Sequence, residues 1–375
     1  MDKKRLTYYE QKEIAYVEQL QSILEELPSY AKDYFKEKEA STNARTRISY
    51  AYDLRIFFQF LCEKIPYLLK KDIKKISIQD LELLTSRDIK QYQEYLKFYR
   101  SKTRKPVNSA VGIARKMSSL RSFFNYFFKR EILKSNPVLQ VDMPKIQEKK
   151  VTNLKPDEIV DLLDRIESYG NILSGQKKVY YEKTKLRDLA IITLLLGTGI
   201  RVSECVGLDL EDLNFKRYSL KVTRKGEQKM TVYFGEEVAL ALQNYIENCR
   251  TKIISSVLKG HETALFFSTQ KKRISVHAVE NIVEKYSKEF LPNKKITPHK
   301  LRSSYGMNLY QKTGDIYLVA DALGQTDIYR TKKNYVNLKE EQRRQAASTM
   351  RLRDHKGCEN NEPESSCNRS KRTIR

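Results

Sequence analysis

One stretch divides this chain. Between Asn136 and Asn153, two prolines, Pro137 and Pro144, and the run Glu-Lys-Lys interrupt an otherwise helical rhythm of apolar residues. Proline disfavours helix at the residue before it, and neighbouring lysines gain by staying solvated. The segment 137–153 therefore predicts an extended linker with a separately folded body on each side. Length agrees, because 375 residues are long for a single core and make two domains the default.

Ahead of the linker, residues 1–40 read as a basic, helix-prone leader and residues 41–136 as a helical domain. Ser41-Thr-Asn is a candidate cap for a helix running through Cys62, with Ile48, Tyr52, Ile56 and Phe60 on one face. Leu81–Phe98 and Ser109–Lys129 give two more amphipathic helices, the second carrying Leu120, Phe123, Phe124, Phe127 and Phe128. These aromatics read as the core of a helical bundle rather than as platforms for base stacking. Beyond the linker, Pro156 and the acids after it start another helix. The pattern then stays helical except over Ser219–Phe234, where alternation predicts a β-hairpin with Lys225 in its turn. The expected fold is mainly α, with a small β-hairpin in a second domain spanning 154–353. Residues 354–375 are polar and mixed in charge, which predicts a disordered tail.

A net charge of +24 calls for a polyanionic partner, and nucleic acid is favoured over a membrane surface. No apolar run reaches transmembrane length, and the first ten residues lack the apolar core of a signal peptide, so a cytoplasmic location is expected. The five cysteines show neither metal-ligand spacing nor a disulfide framework. Cys62 and Cys205 fall in helical apolar patterns and read as core thiols. The loop holding Arg100, Lys102, Arg104 and Lys105 is either a solvated turn or a phosphate contact, and the overall charge favours the contact.

Four clusters carry chemistry: Gly-Thr-Gly-Ile-Arg-Val-Ser-Glu at 197–204, Thr-Arg-Lys-Gly at 223–226, Pro-His-Lys-Leu-Arg at 298–302 and Lys-Lys-Asn-Tyr at 332–335. Each alone has an ordinary explanation. Arg201 and Glu204, three apart, could be a surface ion pair, and Lys225-Gly226 a plain turn. With 71 Lys+Arg and 24 Tyr in the chain, any single basic residue or tyrosine says little. Their order is more informative. Two arginines can neutralise a phosphate through paired N–H donors, a lysine or histidine can move protons, and a phenol can hold a phosphoryl group covalently. With positive charge built in, this chemistry requires neither metal nor other cofactor.

The ordered set resembles the tyrosine recombinase/integrase family, and the resemblance extends over most of residues 27–345. The segment 186–214 is similar to the family's first-arginine region nearly throughout. Val-Thr-Arg-Lys-Gly and Thr-Pro-His-Lys-Leu-Arg look closest to the Xer recombinases, in particular the XerS type, which works without a second recombinase. Leu-Pro-Ser-Tyr-Ala-Lys-Asp-Tyr-Phe at 27–35 and the insertion near 169–185 are also similar to that type. The resemblance implies a two-domain clamp around double-stranded DNA and a homotetramer on two DNA sites. It implies Tyr335 as the nucleophile, leaving a 3′-phosphotyrosyl link and a free 5′ hydroxyl. Arg201 and Arg302 would grip the nonbridging oxygens, Lys225 would protonate the leaving 5′ oxygen, and His299 would handle the tyrosine proton or bond the phosphate. Glu204 would either hold Arg201 or be a surface acid.

Three departures from the family pattern stand out. Gln325 follows Leu-Gly where most members carry His or Trp, and its amide still offers an N–H donor. The stretch from Gln325 to Tyr335 is one residue longer than usual, making Tyr329 a rival nucleophile; Thr331, four residues before Tyr335, matches the family's Thr-x-x-x-Tyr habit and decides for Tyr335. Ser303-Ser304 stands where relatives often have His-Thr. Gln325 tilts the expectation from chromosome dimer resolution toward a mobile-element enzyme. It also motivates the rival of an inert DNA-binding protein with the same fold; a type IB topoisomerase fits the helical N-terminal half less well. Finally, Leu338–Leu352 reads as an amphipathic helix, packed on its own domain or, as the resemblance implies, docked on a neighbouring protomer.

Overall fold

The computed structural model describes residues 7–99, 108–146, 153–224 and 229–325. The chain falls into two compact units, Met1–Lys150 and Val151–Arg375. The first is helical: α1 (Tyr8–Leu24), α2 (Ala31–Lys38), α3 (Ala44–Lys64), α4 (Ile78–Glu82), α5 (Ser86–Phe98) and α6 (Ala110–Phe128). Its core is built largely from the rings that α3 and α6 turn toward each other. Phe57, Phe58, Phe60, Phe123 and Phe124 are fully buried and meet mostly edge to face, as between Phe58 and Phe123 at 6.0 Å. Phe123, Phe124 and Phe127 are core, as their helical spacing predicted, whereas Phe128, expected with them, lies on the exposed side of α6. Beneath them Asp53 on α3 takes a bidentate pair from Arg115 on α6, at 2.5 and 2.7 Å, and a bond from Ser119 at 3.1 Å.

Several expectations are corrected in this unit. Residues set apart as a leader belong to its core: Leu20, Ile23, Leu27, Tyr34 and Phe35 are buried there. The inward face of α3 is broader than expected and centred on Ala51, Leu54, Phe57, Phe58 and Leu61, while Tyr52 and Ile56 pack only partly against the core. Asn43 supplies the cap of this helix, accepting from the Thr46 N–H. The single helix expected over Leu81–Phe98 is two, because Thr85 and Asp88 form a capping box that starts α5 afresh. The linker begins later than Pro137: Pro137–Gln140 is a 3₁₀ turn, with Val138 buried in the core. Proline at its first position loses no needed N–H there.

The second unit is arranged around α8 (Gly175–Thr198), whose apolar run Ala190–Leu196 is buried almost throughout. Before it come α7 (Pro156–Ser168) and a 3₁₀ turn at Tyr169–Asn171; after it α9 (Val202–Gly207) and three short strands, β1 (Leu213–Asn214), β2 (Ser219–Thr223) and β3 (Lys229–Tyr233). The strands form an antiparallel sheet in the order β1-β2-β3, with Leu220 opposite Val232. The helices α10 (Glu236–Tyr245), α11 (Thr251–Ile253), α12 (Val276–Phe290), α13 (Pro298–Thr313) and α14 (Ile316–Leu323) complete the unit. Both α10 and α13 pack on α8. The mainly helical fold with one small sheet is the expected one; the hairpin gains β1 as a third strand.

Candidate active site

Three helix ends converge in the second unit. The first is the end of α8, where Gly199 adopts a left-handed φ of 62° that closes the helix. A Cβ at Gly199 would come within 2.4 Å of the Tyr305 ring on α13, so the close approach also requires glycine. Two residues on, Arg201 opens α9. Its backbone N–H and its Nη1 both donate to Glu204, each at 2.8 Å. The Glu204 side chain is only 4% exposed while that of Arg201 is 44% exposed. Of the two readings of Glu204, the buried one is observed: a carboxylate beneath the arginine, with the guanidinium reaching outward.

The second is the start of α13. Pro298 occupies its first turn and Thr297 caps it by accepting from the Lys300 N–H. This sets His299 and Arg302 one turn apart. Arg302 is buried, and its guanidinium spans two helix ends, donating to Gly199 O and Leu323 O, both at 2.5 Å. Carbonyls at helix C-termini lack intrahelical partners and carry partial negative charge, so they orient this cation firmly. His299 is exposed by area, yet its ring is close enough to protein atoms that partial burial, followed by the charges of Arg302 and Arg201, pulls its pKa below the usual histidine value. The two serines after Arg302 are structural: Ser303 donates to His299 O, and Ser304 accepts from the Leu154 N–H.

The third is the end of α14, closed by Gly324 at φ 55°. The next residue, Gln325, donates its backbone N–H to Ala320 O at 2.8 Å. Against Gly324 lies a residue to which sequence reasoning gave no role, Arg224. A Cβ on Gly324 would fall 0.9 Å from Arg224 Nη1. Arg224 ends the β2 side of the hairpin, directly before Lys225, with Nε 3.9 Å from Glu204 Oε1. The only sequence signal for it was its place in the Thr-Arg-Lys-Gly cluster, which a chain so rich in basic residues obscures.

The structure thus brings Arg201, Glu204, His299 and Arg302 to one locus, with Gln325 at its edge. Lys225 and Tyr335 lie outside the described residues, as do Tyr329 and Thr331, the helix expected over Leu338–Leu352, the tail from 354, and Arg100, Lys102, Arg104 and Lys105. Among the described residues no cluster of His, Cys, Asp and Glu is arranged to hold a metal ion, and no helix is long and apolar enough to cross a membrane.

Comparisons with known proteins agree with this geometry. Residues 152–342 match the phage integrase family and residues 26–145 the phage integrase SAM-like domain. The chain is 32% identical over 345 residues to tyrosine recombinase XerC of Caldanaerobacter subterraneus subsp. tengcongensis, covering 90% of this chain and 89% of that one. It is 31% identical to tyrosine recombinase XerS of Streptococcus thermophilus, covering 84% and 94%. In fold it resembles the Tn1549 transposon integrase in complex with circular intermediate DNA, with a TM-score of 0.60 at 17% identity over 85% of this chain and 98% of that one. It likewise resembles the XerH site-specific recombinase bound to difH substrate, with a TM-score of 0.55 at 17% identity over 82% and 78%. An arginine braced by a buried acid, a second arginine strung between two helix ends and similarity along nearly the whole chain lead to one assignment: this protein belongs to the tyrosine recombinase family, enzymes that break and rejoin DNA at specific sites.

Proposed function

We propose that this recombinase cuts double-stranded DNA with Tyr335 and holds the 3′ end as a phosphotyrosyl ester. The phenolic oxygen forms a bond to phosphorus as the bond to the 5′ oxygen breaks. The phenolic proton passes toward His299, and the leaving 5′ oxygen takes a proton from Lys225 at the hairpin tip. Arg201 and Arg302 neutralise the two nonbridging oxygens, on which negative charge concentrates as the reaction proceeds, and Gln325 adds an amide donor. Because the ester keeps the energy of the broken bond, the 5′ hydroxyl of a second strand can reverse the step and reseal the DNA without ATP.

The observation that carries this reading is the convergence of Arg201 and Arg302 on one locus, each locked by its own hydrogen bonds before any substrate arrives. Fixed donors aimed at developing charge need no reorganisation at the moment of reaction. The two units would close as a clamp on duplex DNA, with Arg100, Lys102, Arg104 and Lys105 on phosphates, and four protomers would join two duplexes. The DNA substrate sets the work inside the cell, in the cytoplasm. Integration, excision and chromosome dimer resolution all use this strand exchange, and sequencing recombined junctions from cells identifies which one the protein performs.

The test is a nicked suicide substrate. Wild type should accumulate a covalent protein–DNA complex; Tyr335→Phe, which removes only the attacking oxygen, should form none while binding DNA nearly as well. A covalent complex lost in Tyr329→Phe but kept in Tyr335→Phe would move the nucleophile to Tyr329.

A further inference from the structure

The least settled group at this locus is Arg224. Its side chain is only 12% exposed, yet Nε and Nη2 have no hydrogen-bond partner among the described residues. Buried guanidinium donors left unmatched are costly and uncommon in folded proteins. The nearest acid does not relieve them. Glu204 stands 3.9 Å away, too far for a hydrogen bond, and already accepts twice from Arg201. Asp321, on α14, is exposed and makes only a long-range contribution. Arg201, close by, adds a like charge that pushes against Arg224.

The seat looks made for this guanidinium. Gly324 leaves open the space that Arg224 Nη1 fills, since even a methyl group there would collide with it. Its left-handed φ of 55° suits glycine as well. Arg224 is thereby pressed against the residue before Gln325 and joined in sequence to Lys225. Two guanidiniums, of Arg201 and Arg224, stand beside one buried carboxylate, Glu204. One carboxylate offsets only one of these two positive charges. A phosphodiester brings one negative charge, and its pentavalent transition state brings two.

We propose that Arg224 is a third phosphate-binding arginine, a catalytic residue whose unpartnered Nε and Nη2 donate to a nonbridging oxygen of the scissile phosphate. The proposal rests on the recombinase reading above. Gln325 offers a neutral amide at this rim, so the positive charge there comes from Arg224. Glu204 then has two tasks: it holds Arg201 by hydrogen bonds and offsets part of the repulsion between the two arginines before DNA arrives.

The experiment compares single-turnover cleavage of a nicked suicide substrate carrying either the natural phosphodiester or a methylphosphonate at the scissile position. The methyl group removes the charge that an arginine would neutralise. Arg224→Gln should cut the natural diester about 10²-fold more slowly than wild type. On the methylphosphonate the two proteins should differ by less than about tenfold, because there is less charge to stabilise. Arg224→Lys, which keeps the charge and loses the planar fork, should lie between them on the diester and provides the comparison if Arg224→Gln does not fold. An unchanged diester rate, or the same loss on both substrates, overturns the proposal and leaves Arg224 a packing residue. Wild-type protein that forms no covalent complex on the diester would instead overturn the recombinase reading itself.

Discussion

Glu204 holds Arg201 at two points, accepting from its backbone N–H and from Nη1 at 2.8 Å each, from a position almost sealed from solvent. One carboxylate thereby starts helix α9 and aims the guanidinium that the helix presents. Charge-assisted bonds of this kind are stronger than neutral ones.

Replacing that carboxylate with an amide tests the brace. Glu204→Gln keeps the shape, loses the charge and leaves one oxygen to serve two donors. Cleavage of the suicide substrate should slow by at least about tenfold, the equivalent of one charged hydrogen bond of about 1.5–3 kcal/mol, while DNA binding in a gel shift stays within a factor of a few. Equal cleavage rates would show that Glu204 only starts the helix.

The proton at His299 can be followed directly. Burial and the charges of Arg302 and Arg201 lower its pKa, so in an NMR titration of the chain's four histidines His299 should lose its proton below the usual value of about 6.5. Arg201→Gln removes one repelling charge and should move the midpoint upward. The stability consequence follows in sign. Between the depressed folded value and the unfolded one, the unfolded chain binds more protons. The group therefore costs stability as pH falls through about 6.5 toward the folded value. A midpoint unmoved by Arg201→Gln would mean that the two side chains do not sense each other.

Gln325 should respond according to donor chemistry. If its amide serves a nonbridging oxygen, Gln325→Ala should lower cleavage about 10²-fold, and Gln325→His, which keeps an N–H donor there, should match or exceed wild type. Identical rates for all three proteins would place the side chain away from the phosphate.

The pair that ties α3 to α6 should be asymmetric. Asp53 is buried and Arg115 half exposed. Burial keeps the Asp53 pKa above the usual carboxylate value despite the charges of Arg115 and Lys116. Arg115→Ala leaves that buried carboxylate with only the Ser119 bond and the more distant Lys116 charge, and should cost about 3 kcal/mol or more. Asp53→Ala releases an arginine that can turn to solvent and should cost less, about 1–3 kcal/mol. Urea unfolding followed by circular dichroism measures both, and the reverse order would refute the argument.

Much of this protein was written locally. Helical spacing identified α3 and α6 and assigned Phe123, Phe124 and Phe127 to the core, because burying one stripe of a helix requires apolar residues at that period. Alternation marked the β2–β3 hairpin, and the ordered clusters singled out Arg201, His299 and Arg302, since their chemistry depends on residue type more than on surroundings. What spacing could not convey was depth. The segment before Ala40 resembles a leader in composition, yet Leu20, Ile23 and Phe35 are drawn into the core by partners on α3 and α6 far along the chain. Arginines posed the same problem more sharply. Arg187, Arg250 and Arg302 are all buried, but Arg187 pairs with Asp188 and Arg250 with the carbonyls of Glu262 and Ala264. Arg302 instead binds two helix ends beside Arg201, and Arg224 alone among these is left with unmatched donors. A guanidinium's role is set by the acceptors that surround it, and for Arg302 those acceptors are helix ends remote in sequence. Only the folded chain brings them together.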